Sequence, residues 1–193
     1  MKWLNMRLWL NSSQRRALET GCYLAVLGIG CIAGTLFMLT DTGSSLCRFC
    51  LAYALPQTDG NVLLSAFRWC AGVLILGFFL GFCGIGQPLI ITLLAFHGFS
   101  AGCCLTSLSM NIAAHAPLIY ACAALYTAAA SFTLLLGMRE SARLSCVSMK
   151  SCLSENDSFN MRRRFRMYCI RYIVLLLMIL AEGAGFAAVC KLL

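Results

Sequence analysis

The sequence predicts an all-α membrane protein: a bundle of five transmembrane helices with a cytoplasmic N-terminus and an extracytoplasmic C-terminus. Three observations carry that prediction. Trp69 to Met138 is a run of seventy residues without a single Asp, Glu, Lys or Arg. One bilayer crossing needs ~20 apolar residues, so a run of this length must fold back on itself inside the membrane. The composition, 61% hydrophobic and 11% charged with a mean hydropathy of +0.83, lies far from the ~25% charged residues of soluble domains. The basic residues, finally, concentrate in two blocks that flank apolar runs.

The elements follow in order, within a single polytopic domain spanning residues 1–193. Residues 1–19 carry Lys2, Arg7, Arg15 and Arg16 against one acid, Glu19, and their Trp3 and Trp9 suit the headgroup level. The first span is expected at about 20–40. It is longer than a signal-peptide core and is followed by no clear small-x-small cleavage site, so it reads as retained. Asp41, Pro56, Asp59 and Gly60 mark 41–61 as a loop. The second span is expected at about 64–83, with Arg68 close enough to its start to snorkel to the headgroups. Gly84-Ile85-Gly86-Gln87-Pro88 then writes a tight turn in the residues helices tolerate least. A third span, about 88–110, places Pro88 in its first turn, where the missing N–H leaves no hydrogen bond unmade. The fourth span is expected at about 115–137 and the last at about 172–190, separated by a basic loop, 139–171, with its turn at Ser154–Ser158.

Orientation comes from the positive charges. Four basic residues precede the first span, and eight lie between Arg139 and Arg171, out of fifteen in the chain. With the N-terminus inside, both groups are cytoplasmic, as the positive-inside rule requires. The net charge of +8 therefore reads as membrane topology. It does not read as a nucleic-acid surface, which needs its cations on one folded soluble face.

Thirteen cysteines suggest a disulfide framework until they are placed. Most lie in apolar runs, where a thiol behaves as a small hydrophobe. Cys47 and Cys50 alone have a chemical spacing, and a lone C-x-x-C leaves a loop disulfide and two reduced thiols both open. Small residues four apart recur at Gly30/Gly34, Gly77/Gly81, Gly98/Gly102 and Ala181/Gly185, on four different spans. They predict close helix–helix packing in a compact bundle.

Chemistry is sparse. His97 and Glu182 each lie ~14–15 Å along a span from its cytoplasmic start, near the middle of a ~30 Å core. A charge at that depth costs several kcal/mol, about 3 on insertion scales, so a partner or a neutral state is expected: Glu182 is either protonated or hydrogen-bonded to a polar group at its own level, with His97 the first candidate. H-E-x-x-H, G-x-S-x-G and the Walker A loop are absent from the sequence. No enzyme, cofactor or metal site is therefore expected. Arg162, Arg163, Arg164 and Arg166, just before the last span, form a basic cluster suited to anionic membrane lipids.

One stretch carries a family likeness. Ile85-Gly86-Gln87-Pro88-Leu89-Ile90, then Leu93-Leu94, then Gly98-Phe99-Ser100-Ala101-Gly102 resembles the stage II sporulation protein M family, in which one span turns at Gly-x-Pro into the next. Trp69 and Gly72 upstream, and Ala181-Glu182-Gly183 near the C-terminus, fit the same pattern. His97 stands where that family usually has Lys or Arg. The resemblance implies a non-enzymatic scaffold in a bacterial cell membrane, in the mother-cell septal membrane during engulfment in endospore formation. There it would hold the cell-wall hydrolases known as stage II sporulation proteins D and P. It also marks Gly86, Pro88, Gly98, Gly102 and Glu182 as the family's motif positions.

A rival class is the membrane subunit of a transporter, with a cytoplasmic ATPase docked on the basic loop. The Gly/Pro break and the mid-membrane His97 and Glu182 speak for it; the scarcity of other intramembrane polar groups speaks against it.

Overall fold

Apolar runs without charge leave the backbone no partner in a bilayer but itself, and helices are the result. The structure, a computed structural model, describes residues 12–40, 62–111, 117–152 and 158–192. The N-terminal Trp segment, the loop 41–61 with Cys47 and Cys50, the connection before Pro117 and most of the turn at 154–158 lie outside the described residues. Five helices result: α1 Ser12–Thr40, α2 Val62–Leu80, α3 Gly86–Asn111, α4 Pro117–Cys152 and α5 Ser158–Leu192. Among the described residues, four helices contain stretches long and apolar enough to cross a membrane, within Leu18–Thr40, Gly86–Met110, Tyr120–Met149 and Arg163–Val189, and α2 contributes the shorter apolar stretch Arg68–Leu80.

Three helices overrun their expected limits, α1 by beginning at Ser12 and α4 and α5 by running into the basic segment. The basic segment 139–171, read from sequence as a loop, is mostly helix: α4 continues to Cys152 and α5 begins at Ser158. At 36 and 35 residues they extend over ~54 and ~52 Å, well beyond a ~30 Å hydrocarbon core. Charge marks where the hydrocarbon ends, and nothing in Arg139, Glu140 or Arg143 disfavours helix.

Side-chain contacts fix the helix directions. Thr133 meets Glu182 and Glu140 meets Arg171, so α4 and α5 run antiparallel. His97 meets Ser131 and Gln87 meets Cys146, so α3 and α4 do too. The core between α2, α3, α4 and α5 is built on Leu74, Ile90, Leu94, Leu134, Met138 and Ile179, all fully buried. α1 packs chiefly on α3, and its Leu24, Ile29, Ile32 and Leu36 face outward. Exposed apolar side chains of that kind suit contact with lipid tails.

Candidate functional site

Of the residues that carry the family likeness, Gly86, Gly98 and Gly102 press against neighbouring backbone, whereas a Cβ on Gly72 or Gly183 would meet nothing within 4 Å. α2 ends in a run of short-range bonds: Phe82 N–H donates to the Phe79 carbonyl at 3.1 Å, Cys83 to Leu80 at 3.2 Å and Gly86 to Cys83 at 2.9 Å. These bonds satisfy carbonyls that the helix end would leave bare. Ser145 on α4 donates to the Cys83 carbonyl at 2.7 Å, so the turn is pinned from outside as well. A Cβ at Gly86 would collide with the Leu80 carbonyl, and only glycine closes the turn this tightly. Pro88 follows in the first turn of α3, exposed, and its carbonyl accepts from Thr92 Oγ1 at 3.0 Å.

Gly98 and Gly102 form one half of a helix-to-helix zipper. A Cβ on Gly98 would overlap the Leu27 carbonyl, and one on Gly102 the carbonyl of Cys31. From the α1 side, Gly30 lies against Ala95 and Gly34 against Phe99. Two small-xxx-small stripes from different spans thus face each other, with α1 and α3 parallel. Cys103 Sγ donates to the Gly34 carbonyl at 3.4 Å, and Phe37 packs on Phe99 with ring centroids 5.6 Å apart. Such contact gains packing that lipid tails cannot match. The Gly77/Gly81 stripe has another use. It makes room for Met138 and for the phenol rings of Tyr172 and Tyr168. At Ala181/Gly185 the stripe stays exposed, and a Cβ on Gly185 would meet nothing.

His97 and Glu182 do not bond to each other. Each is fastened to α4 instead. His97, 5% exposed, places Nε2 3.1 Å from Ser131 Oγ. Thr133 Oγ1 donates to Glu182 Oε1 at 2.7 Å. Residues two apart on a helix point about 200° apart, so Ser131 and Thr133 look in opposite directions and α4 stands between the two groups. Their second polar atoms, His97 Nδ1 and Glu182 Oε2, are buried without a hydrogen-bond partner. Nearby, Cys70 Sγ lies 3.8 Å from Tyr126 OH, and Tyr126 stacks on Phe186.

Nearer the arginine-rich end, a phenol cluster ties three helices. Tyr168 OH donates to the Phe78 carbonyl at 2.9 Å, and Tyr172 OH to the Gly137 carbonyl at 2.9 Å. Ser141 Oγ donates to that same Gly137 carbonyl at 3.1 Å and contacts both phenols. Phe78 stacks on Tyr168 with centroids 5.1 Å apart. Sequence reading missed this cluster. Its signal was two tyrosines four apart, the spacing that puts side chains on one helix face.

Beyond the phenols lies a charged layer. Glu140, on α4, pairs with Arg139 at 3.8 Å, with Arg143 at 3.4 Å and with Arg171 of α5. Arg143 reaches on to Glu19 of α1 at 3.3 Å, and Arg139 donates to Thr20 Oγ1 at 3.0 Å. Of the predicted basic cluster, Arg163 and Arg164 line a groove between α4 and α5, and Arg166 is exposed on α5. The Arg162 side chain lies outside the described residues. The nine described cysteines are free thiols, and Cys70, Cys103 and Cys104 are buried. No three His, Cys, Asp or Glu side chains among the described residues converge as metal ligands.

In comparisons with known proteins, no family model, no curated protein and no solved structure matches this chain.

Proposed function

We propose that the chain is a non-enzymatic scaffold of the bacterial cell membrane, working as the stage II sporulation protein M resemblance implies. In this reading α2 crosses with the other four helices, the arginine-rich end is cytoplasmic and the loop 41–61 is outside. That loop and the outer helix ends hold membrane-anchored peptidoglycan hydrolases, those of the stage II sporulation D and P kind, at the septal membrane during engulfment. One observation carries the reading above all. Two polar pairs inside the bundle tie helices together, Ser131 to His97 and Thr133 to Glu182, and the motif glycines close a turn and a helix interface. Those are the features of a rigid platform.

The test is affinity purification of a tagged chain from host cells entering stationary phase, with partners identified by mass spectrometry. Recovery of membrane-anchored wall hydrolases is the expected result. Recovery of a nucleotide-binding subunit in their place overturns the proposal.

A second reading, a transporter subunit with a cytoplasmic ATPase, rests on the unpartnered His97 Nδ1 and Glu182 Oε2. Intramembrane ionisable groups with spare valence often serve a transported ion. Ion flux in liposomes that Glu182→Gln abolishes would favour it.

A further inference from the structure

At the arginine-rich end, residues of α4 and α5 line a groove of about 380 Å³. Arg143, Arg163, Arg164 and Arg171 line it, with Glu140 as its one acid and Tyr168 among the other lining residues. The carboxylate of Glu140 is already engaged by Arg139, Arg143 and Arg171. Arg163 and Arg164 make no ion pair among the described residues and are exposed. The groove thus holds a surplus of guanidinium groups and lacks an anion to match them.

Its depth and remaining walls narrow the choice of anion. α4 and α5 are 36 and 35 residues long, and at this end their charged residues lie beyond the charge-free runs, after Met138 on α4 and up to Arg171 on α5. At 1.5 Å per residue both exceed a ~30 Å core by ~10 Å or more. Their charged ends therefore stand in the headgroup layer. Leu144, Val147 and Met167 supply apolar lining beside the arginines. A small soluble anion has no use for such a lining, whereas the glycerol and first methylenes of a phospholipid do. Guanidinium forks match phosphate oxygens in geometry and in charge.

We infer that this groove is a binding site for the phosphate group of an anionic glycerophospholipid, held by Arg163 and Arg164 with Arg143 and Arg171 behind them. The site is distinct from general attraction of the basic face to the membrane, because it requires these side chains and not merely their charge. Two-phosphate headgroups fit best, since basic pockets between helices on the cytoplasmic side favour them.

The experiment is lipid retention by the full-length chain in detergent, read by native mass spectrometry after titration with cardiolipin, phosphatidylglycerol or phosphatidylcholine. Retention is expected in that order, with Arg163→Gln/Arg164→Gln weakening cardiolipin binding about thirtyfold, from the loss of two basic contacts. Lys2→Gln/Arg7→Gln removes the same charge from the basic N-terminal segment and is expected to leave retention unchanged, because the inferred site requires the two α5 arginines. Both substituted arginines are exposed, and equal helicity and elution volume of the two double variants establish that each is folded. Equal loss in the two variants overturns the inference in favour of bulk electrostatics. Equal retention of phosphatidylcholine overturns it as well. If inorganic phosphate alone raises thermal stability as much as cardiolipin does, and Arg163→Gln/Arg164→Gln removes that effect, the groove takes soluble phosphate and the lipid assignment fails.

Discussion

Thr133 Oγ1 donates to Glu182 Oε1 at 2.7 Å, so the acid of the last helix is held by a hydroxyl two residues from the one that meets His97. The bond joins α4 to α5 two residues along α4 from the Ser131–His97 contact that joins α4 to α3. Interhelical hydrogen bonds in membranes contribute about 0.6 kcal/mol on average and at most about 2 kcal/mol. Thr133→Val keeps the shape and removes the donor, so it is expected to destabilise by an amount in that range, read as loss of thermal stability in detergent. Glu182→Gln keeps an oxygen that accepts from Thr133 and is expected to retain most of the stability, whereas Glu182→Leu is not. The double variant Thr133→Val/Glu182→Leu should lose less than the two single losses together. Strict additivity would show that the pair is not coupled.

The zipper between α1 and α3 gives a sharper contrast. Gly34 lies against the backbone of Phe99, whereas nothing stands within 4 Å of a Cβ on Gly28. Gly34→Leu is expected to push α1 off the bundle, and Gly28→Ala to leave it seated, because only the first forces two backbones apart. Limited proteolysis of the purified protein checks this, with cleavage between α1 and α2 releasing the first helix from the Gly34→Leu variant alone.

The hairpin before α3 allows a similar comparison within one turn. A side chain on Gly86 would meet the Leu80 carbonyl, while one on Gly84 would make ordinary contact with Met149 at 3.6 Å. Gly86→Ala is expected to cost on the order of 2 kcal/mol or more, as overpacking against backbone does. Gly84→Ala should be close to neutral. Thermal unfolding of the two variants side by side distinguishes them, and equal midpoints would contradict the tight-turn account.

Tyr172 and Tyr168 lie four residues apart on α5 and donate to carbonyls on two different helices. Tyr172→Phe removes a buried donor and is expected to cost about 1 kcal/mol, with Ser141 still bonded to the Gly137 carbonyl. Tyr168→Phe has no such substitute at the Phe78 carbonyl and should cost more. The order of the two unfolding temperatures is the check.

How much of this was legible in the sequence depended on which coordinate of the helix was in question. Position along the chain was plain: charge-free runs placed the helices, and the Gly-Pro break placed the turn at Gly86. Position around the helix was not. His97 and Glu182 were matched in depth, yet their partners turned out to be Ser131 and Thr133, because α4 lies between them and depth says nothing about azimuth. The stripes Gly30/Gly34 and Gly98/Gly102 announced close packing without naming each other, since a small face fits any other small face. Ala181/Gly185 carries the same signal and is exposed. Helix ends were misjudged at 139–171 for a different reason. Arg139 and Glu140 report the edge of the hydrocarbon, while the helix itself continues as long as the backbone pays no penalty.

The scaffold reading, the headgroup groove and the fastened polar layer all depend on one claim, that five helices cross the membrane alternately with the arginine-rich end inside. Reporter fusions that are active only outside the cytoplasmic membrane test it most directly, placed after Gly60, Gln87, Ala114 and Glu155. The account predicts activity after Gly60 and Ala114 and none after Gln87 and Glu155. Activity after both Gly60 and Gln87, or after neither, would place the two ends of α2 on one side, contradicting the five-span arrangement and the outward-facing loop with which the scaffold is proposed to hold its partners.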